Sequence, residues 1–314
     1  MSRILVTGGS GLVGASITRK LSSSGHQIFG LSSRDCDLRD PSQVKEVFDQ
    51  INPQILILAA ARVGGVLANS TYPATFLIDN VLMEANVLNW IRYSRNVAQV
   101  IFIGSSCIYP LDASQPLEPS SLMTGPLEPT NRWYAQAKLA GIYGLEGLKI
   151  EYGISGTSLL PTNLYGPGDN FHELDGHVLP SLLRRFFEAK INGSSEVVVW
   201  GSGNPRREFL YVDDLAAAVE IFIDKSDLDL VYNIGSEYEV TIFQLAHLIA
   251  DVVGFSGTIS FDRTKPDGAH RKHLNIEPIK NLGWQQKITI DAGIRRTYDW
   301  LTQNYDLIRK QGVK

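Results

Sequence analysis

Arg3-Ile-Leu-Val-Thr7-Gly8-Gly9-Ser10-Gly11-Leu12-Val13-Gly14 runs from an apolar, β-branched stretch into glycines and on into a helical pattern that lasts from Val13 to Leu21. Gly8, Gly11 and Gly14 form G-x-x-G-x-x-G between that strand and that helix. Glycines so placed permit a tight turn, let backbone N–H groups approach a pyrophosphate, and bring helix close to strand, so the helix N-terminus faces the anion. The stretch predicts the start of a dinucleotide-binding βαβ unit, with Gly8, Gly9, Ser10, Gly11, Leu12, Val13 and Gly14 along the cofactor.

The end of the second strand selects the dinucleotide. An acidic residue about twenty residues past the glycines would bond the ribose hydroxyls and repel a 2'-phosphate. Here the segment is Leu31-Ser-Ser-Arg34, followed by Asp35. Arg34, with Ser32 and Ser33, offers donors and positive charge, which favours NADP(H) over NAD. Asp37 and Leu38 fall near the adenine, and Ala59-Ala-Ala61 after the third strand supplies small residues for close backbone approach.

Further along, short β-branched runs alternate with longer amphipathic stretches, the pattern of βαβ units around a parallel sheet. Strands are expected over Ile4 to Thr7, Gln27 to Leu31, Gln54 to Leu58, Val100 to Gly104 and Gly153 to Leu159, and helices over Pro41 to Ile51 and Asn80 to Arg95. After Pro161 the cluster Tyr165-Gly-Pro-Gly-Asp-Asn170 marks a loop and the rhythm changes. The fold class expected is α/β, a Rossmann-type doubly wound parallel sheet with a smaller interleaved C-terminal substrate-binding lobe. An NADP-binding domain over 1–162 precedes a lobe over 163–314, of which about 207–229, containing the amphipathic stretch Asp213 to Asp224, packs back on the sheet.

Composition narrows the class. With 314 residues and 44% hydrophobic content the chain can bury a large core. A net charge of -4 provides no general field for nucleic acid or an anionic membrane. With the first strand expected to begin almost at Met1, no secretory signal is expected, and no apolar run reaches the roughly eighteen residues of a membrane span. Cys36 and Cys107 make a disulfide framework implausible, and a reducing cytoplasm is the expected home. His26, His172, His247, His270 and His273 have no metal-ligand spacing, so no metal is assigned. Cys36 reads as structural, and no G-x-S-x-G elbow of a serine hydrolase is present.

Tyr134 and Lys138 lie four apart in Trp133-Tyr-Ala-Gln-Ala-Lys138 and share one face of a helix. A tyrosine titrating at about 10 is a poor acid-base group at neutral pH, and a neighbouring ammonium is expected to lower it. Gly104-Ser-Ser-Cys-Ile-Tyr-Pro110 follows a predicted strand and carries hydroxyls toward the same place. With these residues the chain resembles the extended short-chain dehydrogenase/reductases, whose catalytic triad Ser105, Tyr134 and Lys138 match. The finer resemblance, to the GDP-L-fucose synthase family, runs through Ala61-Arg-Val-Gly-Gly65, Leu127-Glu-Pro-Thr-Asn131, Pro161-Thr-Asn-Leu-Tyr-Gly-Pro167, His177 to Phe186, Trp200-Gly-Ser-Gly203, Arg207-Glu-Phe209 and Lys265-Pro-Asp-Gly268.

That resemblance implies an enzyme that epimerises GDP-4-keto-6-deoxy-D-mannose at C3 and C5 and reduces it at C4 with NADPH. It makes Cys107 and His177 the epimerisation pair, and Arg185, Trp200, Arg207 and Asp267 substrate contacts. It lines NADPH with Ile103, Gly104, Ser105, Ser106, Lys138, Pro161, Thr162, Asn163, Leu164 and His177, and it implies a homodimer through Asn80 to Arg95 and Trp133 to Tyr152. The residues alone leave Cys107 readable as a small buried hydrophobe and His177 as a helix-start histidine. As the base, Cys107 needs a thiol lowered from about 8.5 by nearby positive charge, and His177 is the acid near its ordinary 6.5 or so. Lys265 and Arg271 are further cationic candidates that also read as exposed basic residues. Where some bacterial members carry a basic residue in the first glycine loop, this chain has Ser10. The competing readings are a reductase or epimerase for another GDP-4-keto-deoxy sugar, and a non-catalytic Rossmann scaffold.

Overall fold

The computed structural model describes residues 1–173, 175–265 and 267–309; Leu174, and Pro266 of the Lys265 to Gly268 motif, lie outside the described residues. The first half builds β1 (Arg3–Thr7), α1 (Leu12–Leu21), β2 (Gln27–Leu31), α2 (Pro41–Ile51), β3 (Ile55–Leu58), α3 (Val66–Thr71), α4 (Pro73–Tyr93), β4 (Gln99–Ile103), α5 (Arg132–Tyr152) and β5 (Ser155–Pro161). The second adds β6 (Asn163–Tyr165), α6 (Val178–Ile191), β7 (Glu196–Trp200), β8 (Arg206–Tyr211), α7 (Val212–Phe222), β9 (Val231–Ile234), β10 (Glu239–Thr241), α8 (Ile242–Val253), β11 (Thr258–Asp262), β12 (Arg271–Lys272), α9 (Glu277–Asn281) and α10 (Ile290–Arg309).

A Rossmann-type parallel sheet in the order β2-β1-β3-β4-β5-β9 forms the centre. Ile4 stands opposite both Ile28 and Ile55, and Leu56 opposite Val100, so apolar side chains stack across the sheet in register. β3 and β4 are buried along their whole length, which is why they read as unbroken apolar runs. Each such side chain contributes about 1.5–3 kcal/mol by leaving water. The chain reverses direction of travel across the sheet between β1 and β3, and the carboxyl ends there, at Thr7 and Leu58, open the crevice where such sheets bind ligands. Strand β9 joins this sheet from late in the chain, and α7 packs on α1, where the Arg19 guanidinium pairs with Asp213.

Local chemistry sets the helix ends. Asp40 caps α2 by accepting the Ser42 and Gln43 backbone N–H groups, and Pro41 occupies the first turn. Helix α4 begins at Pro73, seven residues ahead of the expected Asn80, because that proline starts the helix and the apolar face already runs from Phe76.

A second hydrophobic core lies between α6, α8 and α10 and includes Leu183, Phe186, Val199, Leu245, Ile249 and Leu301. Its strands are β10-β8-β12 with β6 beside β8, and a separate β7-β11 pair. Parallel pairing of β6 with β8 sets Asn163 opposite Phe209, so the segment after β5 is tied to the second core. No helix among the described residues is long and apolar enough to cross a membrane.

Candidate active site

One cavity of about 1260 Å³ runs from the glycine loop, past the carboxyl ends of β1, β3 and β4, to the strands of the second core. The loop is shaped for close approach by a ligand. Gly8 sits at φ +71, and a Cβ on Gly14 would collide with the Gly8 carbonyl, so α1 can press onto β1 only with glycine there. The Gly11 N–H donates to the Gly8 carbonyl (2.9 Å), closing the turn that aims the start of α1 into the cavity.

Gly8, Ser10, Gly11, Leu12, Val13, Gly14, Asp37 and Leu38 all line the cavity, as do Ser32 and Ser33. Gly9 and Arg34 do not. Gly9 faces β2 instead: its N–H donates to Leu31 (2.7 Å), and a Cβ there would lie 2.8 Å from Gly30. Arg34 is exposed on the turn after β2. Arg39 lines this end instead, and Arg62, which shares the Asp79 carboxylate with it, lines the cavity too; Arg39 donates twice to Asp37, at 2.8 and 2.9 Å, and holds its carboxyl below the usual range.

Beyond β4 the chain turns through Ser106–Ile108, capped by Ser105, whose Oγ accepts the Cys107 backbone N–H at 3.2 Å. This turn and the start of α5 carry Ser105, Cys107, Tyr134 and Lys138 to the cavity wall, with Ile103, Gly104 and Ser106 beside them. Pro161, Thr162, Asn163 and Leu164 form the adjoining wall. Asn163 Nδ2 donates to the Glu208 carbonyl (2.9 Å), fixing that segment against β8. His177 enters from the N-terminus of α6. The thiol and imidazole, seventy residues apart in sequence, thus meet one cavity with the serine and tyrosine hydroxyls.

Electrostatics departs from expectation at three residues. Tyr134 is pushed well above its ordinary value by burial, helped by Cys107 and Glu84. Lys138 does not lower it because its Nζ lies 5.9 Å from the Tyr134 ring centre but 3.1 Å from Glu84 Oε1. At about 6 Å an ammonium is worth roughly 3 kcal/mol to an anion at an effective dielectric near 20, and the adjacent carboxylate cancels much of that. Cys107 is likewise raised, because burial outweighs the fields of Lys272 and Lys138. Burial lowers His177. Both members of the pair are therefore held in their neutral forms near neutrality.

At the far end Arg185 and Lys265 flank Trp200, whose indole is partly exposed. Asp267 accepts the Ser202 N–H (2.6 Å) and hydroxyl (2.7 Å), which keeps its carboxyl ionised and pins the loop after β7. Arg207 lines the cavity from β8, and Lys272 stands opposite it on β12. Arg271 is engaged elsewhere, donating to Glu239 at 2.8 and 3.0 Å.

Arg39, Glu84, Glu128, Asp169 and Lys272 are ionisable groups in or beside the site that sequence reading missed. For Glu84 a signal existed. Phe76, Asn80, Glu84, Val87 and Ile91 are spaced for one helical face, so two polar residues interrupt an apolar stripe. Lys272, on a two-residue strand, offered none.

A model of the NAD dependent epimerase/dehydratase family matches residues 4–235. The chain is similar to GDP-L-fucose synthase 1 of Arabidopsis thaliana, 49% identical over 305 residues that cover 96% of this chain and 94% of that protein. It is also similar to the GDP-L-fucose synthase of Escherichia coli (strain K12), 44% identical over 317 residues, 98% of each. Among solved structures it resembles a GDP-L-fucose synthetase from Naegleria fowleri bound to NADP, with a TM-score of 0.89 and 32% identity, covering 98% of this chain and 96% of that one.

Proposed function

The chain belongs to the NAD dependent epimerase/dehydratase family and, within it, to the GDP-L-fucose synthases, and from that premise we propose that the cavity described above inverts C3 and C5 of GDP-4-keto-6-deoxy-D-mannose and then reduces C4 to give GDP-L-fucose. The observation that carries this reading is the convergence of Cys107, His177, Ser105 and Tyr134 on a single cavity.

The glycine loop and the β2 end fit the cofactor of this NADP-dependent epimerase and reductase. Gly8 to Gly14 bring backbone close enough for a pyrophosphate, while Ser32, Ser33 and Arg39 would offer donors to a 2'-phosphate. When bound, NADPH supplies the hydride that C4 receives. Lys138 and the segment Pro161 to Leu164 would hold its nicotinamide end.

A C4 ketone acidifies the protons on C3 and C5. Cys107 and His177 exchange those protons from opposite sides of the ring, and Ser105 and Tyr134 donate to O4, stabilising the enolate. In the reduction Tyr134 gives its proton to O4. A phenol pushed up by burial is protonated at neutral pH, the state that step needs. Arg185 and Arg207 clamp the diphosphate and Trp200 gives the guanine a flat face, with Asp267 holding the loop beside it.

In this division, the expected 1–162 chiefly binds cofactor and 163–314 the sugar nucleotide, but the part that returns to the first sheet is α7 and β9, about 212–234 and not 207–229, because β8 pairs within the second sheet. Helices α4 and α5 pack on each other and leave Ile78, Leu82, Tyr143 and Ile150 exposed, which supports a homodimer through that face. Two free cysteines suit a reducing cytoplasm.

Incubation with GDP-4-keto-6-deoxy-D-mannose and either NADPH or NADH tests the reading by loss of nicotinamide absorbance. Consumption of NADPH matched by GDP-L-fucose supports it. No consumption, or a product epimeric to GDP-L-fucose at C3 or C5, overturns it.

A further inference from the structure

Lys138 and Glu84 form a buried ion pair beneath the cavity, with Nζ 3.1 Å from Oε1 and the two side chains 2% and 6% exposed. The slot for the carboxylate is built. Gly141, three residues past Lys138 on α5, has no side chain, and a Cβ there would lie 2.7 Å from Glu84 Oε2 and 2.6 Å from Phe102 Cζ. The Phe102 ring forms the other wall, its centre 4.6 Å from Lys138 Nζ. Among the described residues no hydroxyl, amide or backbone N–H serves either carboxylate oxygen, so the ammonium is what compensates the acid.

A buried acid is costly, and an apolar residue on this face of α4 would pack with less penalty. The α4 stripe of Phe76, Val87 and Ile91 shows that the position is otherwise suited to one. Resting on the reading of Tyr134 and Lys138 as the reducing pair, we propose that Glu84 is a positioning residue for the C4 reduction: it fixes the depth of the Lys138 ammonium and offsets its charge where that ammonium faces Tyr134.

Three groups from different elements face Tyr134: Cys107 from the turn after β4, Glu84 from α4 and Lys138 from its own helix. Cys107 in turn faces Lys272 of β12. Burial, Cys107 and Glu84 all push the phenol up. Removing the Glu84 charge leaves the ammonium uncompensated, so the phenol ionises at lower pH. Because the reduction uses the protonated phenol, its alkaline limb moves to lower pH. An ion pair that only holds α4 to α5 would alter stability and leave that limb in place.

The test is single-turnover reduction by the full chain, followed from neutral to alkaline pH by nicotinamide absorbance, with C3/C5 deuterium exchange measured in the same samples. For Glu84→Gln the alkaline limb should fall by about one pH unit, with hydride transfer at neutral pH and exchange both within about threefold of the parent. Glu84→Asp should recover part of the shift. Gly141→Ala, which keeps both charges but crowds the carboxylate, should move the limb the same way by less, and it decides the matter if the Glu84 variants do not fold. A limb that stays at the parent position in every folded variant overturns the proposal, as does an equal loss of exchange and reduction. Tyr134→Phe is the control: if it reduces at the parent rate, the reading of Tyr134 itself fails, whatever Glu84 does.

Discussion

The guanidinium carbon of Arg185 lies 5.8 Å from the centre of the Trp200 ring, and Lys265 Nζ approaches the same ring to 5.6 Å. Arg185 also donates to the Val198 carbonyl at 2.7 Å, so one end of the side chain is anchored to β7. The contact with Trp200 is made with or without a ligand, so the binding share of Arg185 is its charged hydrogen bond to a diphosphate, about 1.5–3 kcal/mol. Arg185→Ala should therefore weaken binding of GDP and of the GDP-sugar by roughly 10- to 100-fold and leave NADPH affinity unchanged. Calorimetric titration with GDP and with NADP checks both halves. Equal loss of both ligands would remove Arg185 from the nucleotide-sugar end.

Tyr134 and the Cys107/His177 pair are assigned different steps. Tyr134→Phe should lower hydride transfer by about 10²- to 10⁴-fold, while deuterium exchange at C3 and C5, which keeps Ser105 as a donor to O4, falls much less. Rapid-quench measurement of the two steps on one preparation separates them. Equal losses would contradict the division.

The pair also has a pH signature. Proton exchange needs one proton shared between thiol and imidazole. Burial raises the Cys107 thiol and lowers the His177 imidazole from their ordinary values, so across the widened interval between them the pair holds that single proton. Exchange should be level from near neutrality into mildly alkaline pH, falling on the acid side as His177 gains a second proton and on the alkaline side as Cys107 loses the last one. Cys107→Ser should suppress exchange at every pH. A single titration step near neutrality would place the shifts the other way.

Gly14→Ala tests the cofactor loop. The added methyl would strike the Gly8 carbonyl, and relief means lifting α1 away from β1. NADPH affinity should fall by at least about tenfold and thermal stability should drop by an amount typical of overpacking, about 1–3 kcal/mol. Fluorescence titration with NADPH and a thermal melt read these directly. Parent-like NADPH binding would mean the glycine loop does not set the approach.

Much of this was legible in the chain because backbone geometry writes itself into residue type. Gly8, Gly11 and Gly14 are required where helix, strand and ligand crowd together, and the runs Ile55 to Leu58 and Val100 to Ile103 are apolar throughout because both sheet faces are covered. Tyr134 and Lys138 could be paired from helical spacing alone. Cys107 and His177 could not, since seventy residues and a change of core separate them. Their roles came from resemblance, and the fold then brought them to one cavity.

What stayed hidden depends on long-range contact. Arg34 and Arg39 are equally basic, five residues apart and both exposed, yet only the second lines the cavity, where it pairs with Asp37. Strand β9 is only four residues long and joins the first sheet from beyond α7, so nothing local marks its partner. The expected lowering of the Tyr134 and Cys107 ionisations failed because sequence spacing gives charge proximity but not burial, and here burial is the larger effect.

The most direct test is one reaction in heavy water: purified chain, GDP-4-keto-6-deoxy-D-mannose and NADPH, with the product examined by NMR. The account requires GDP-L-fucose carrying deuterium from solvent at C3 and C5 and protium from the nicotinamide at C4. Protium retained at C3 and C5 in a C4-reduced product would contradict it, leaving a reductase whose thiol and imidazole move no protons.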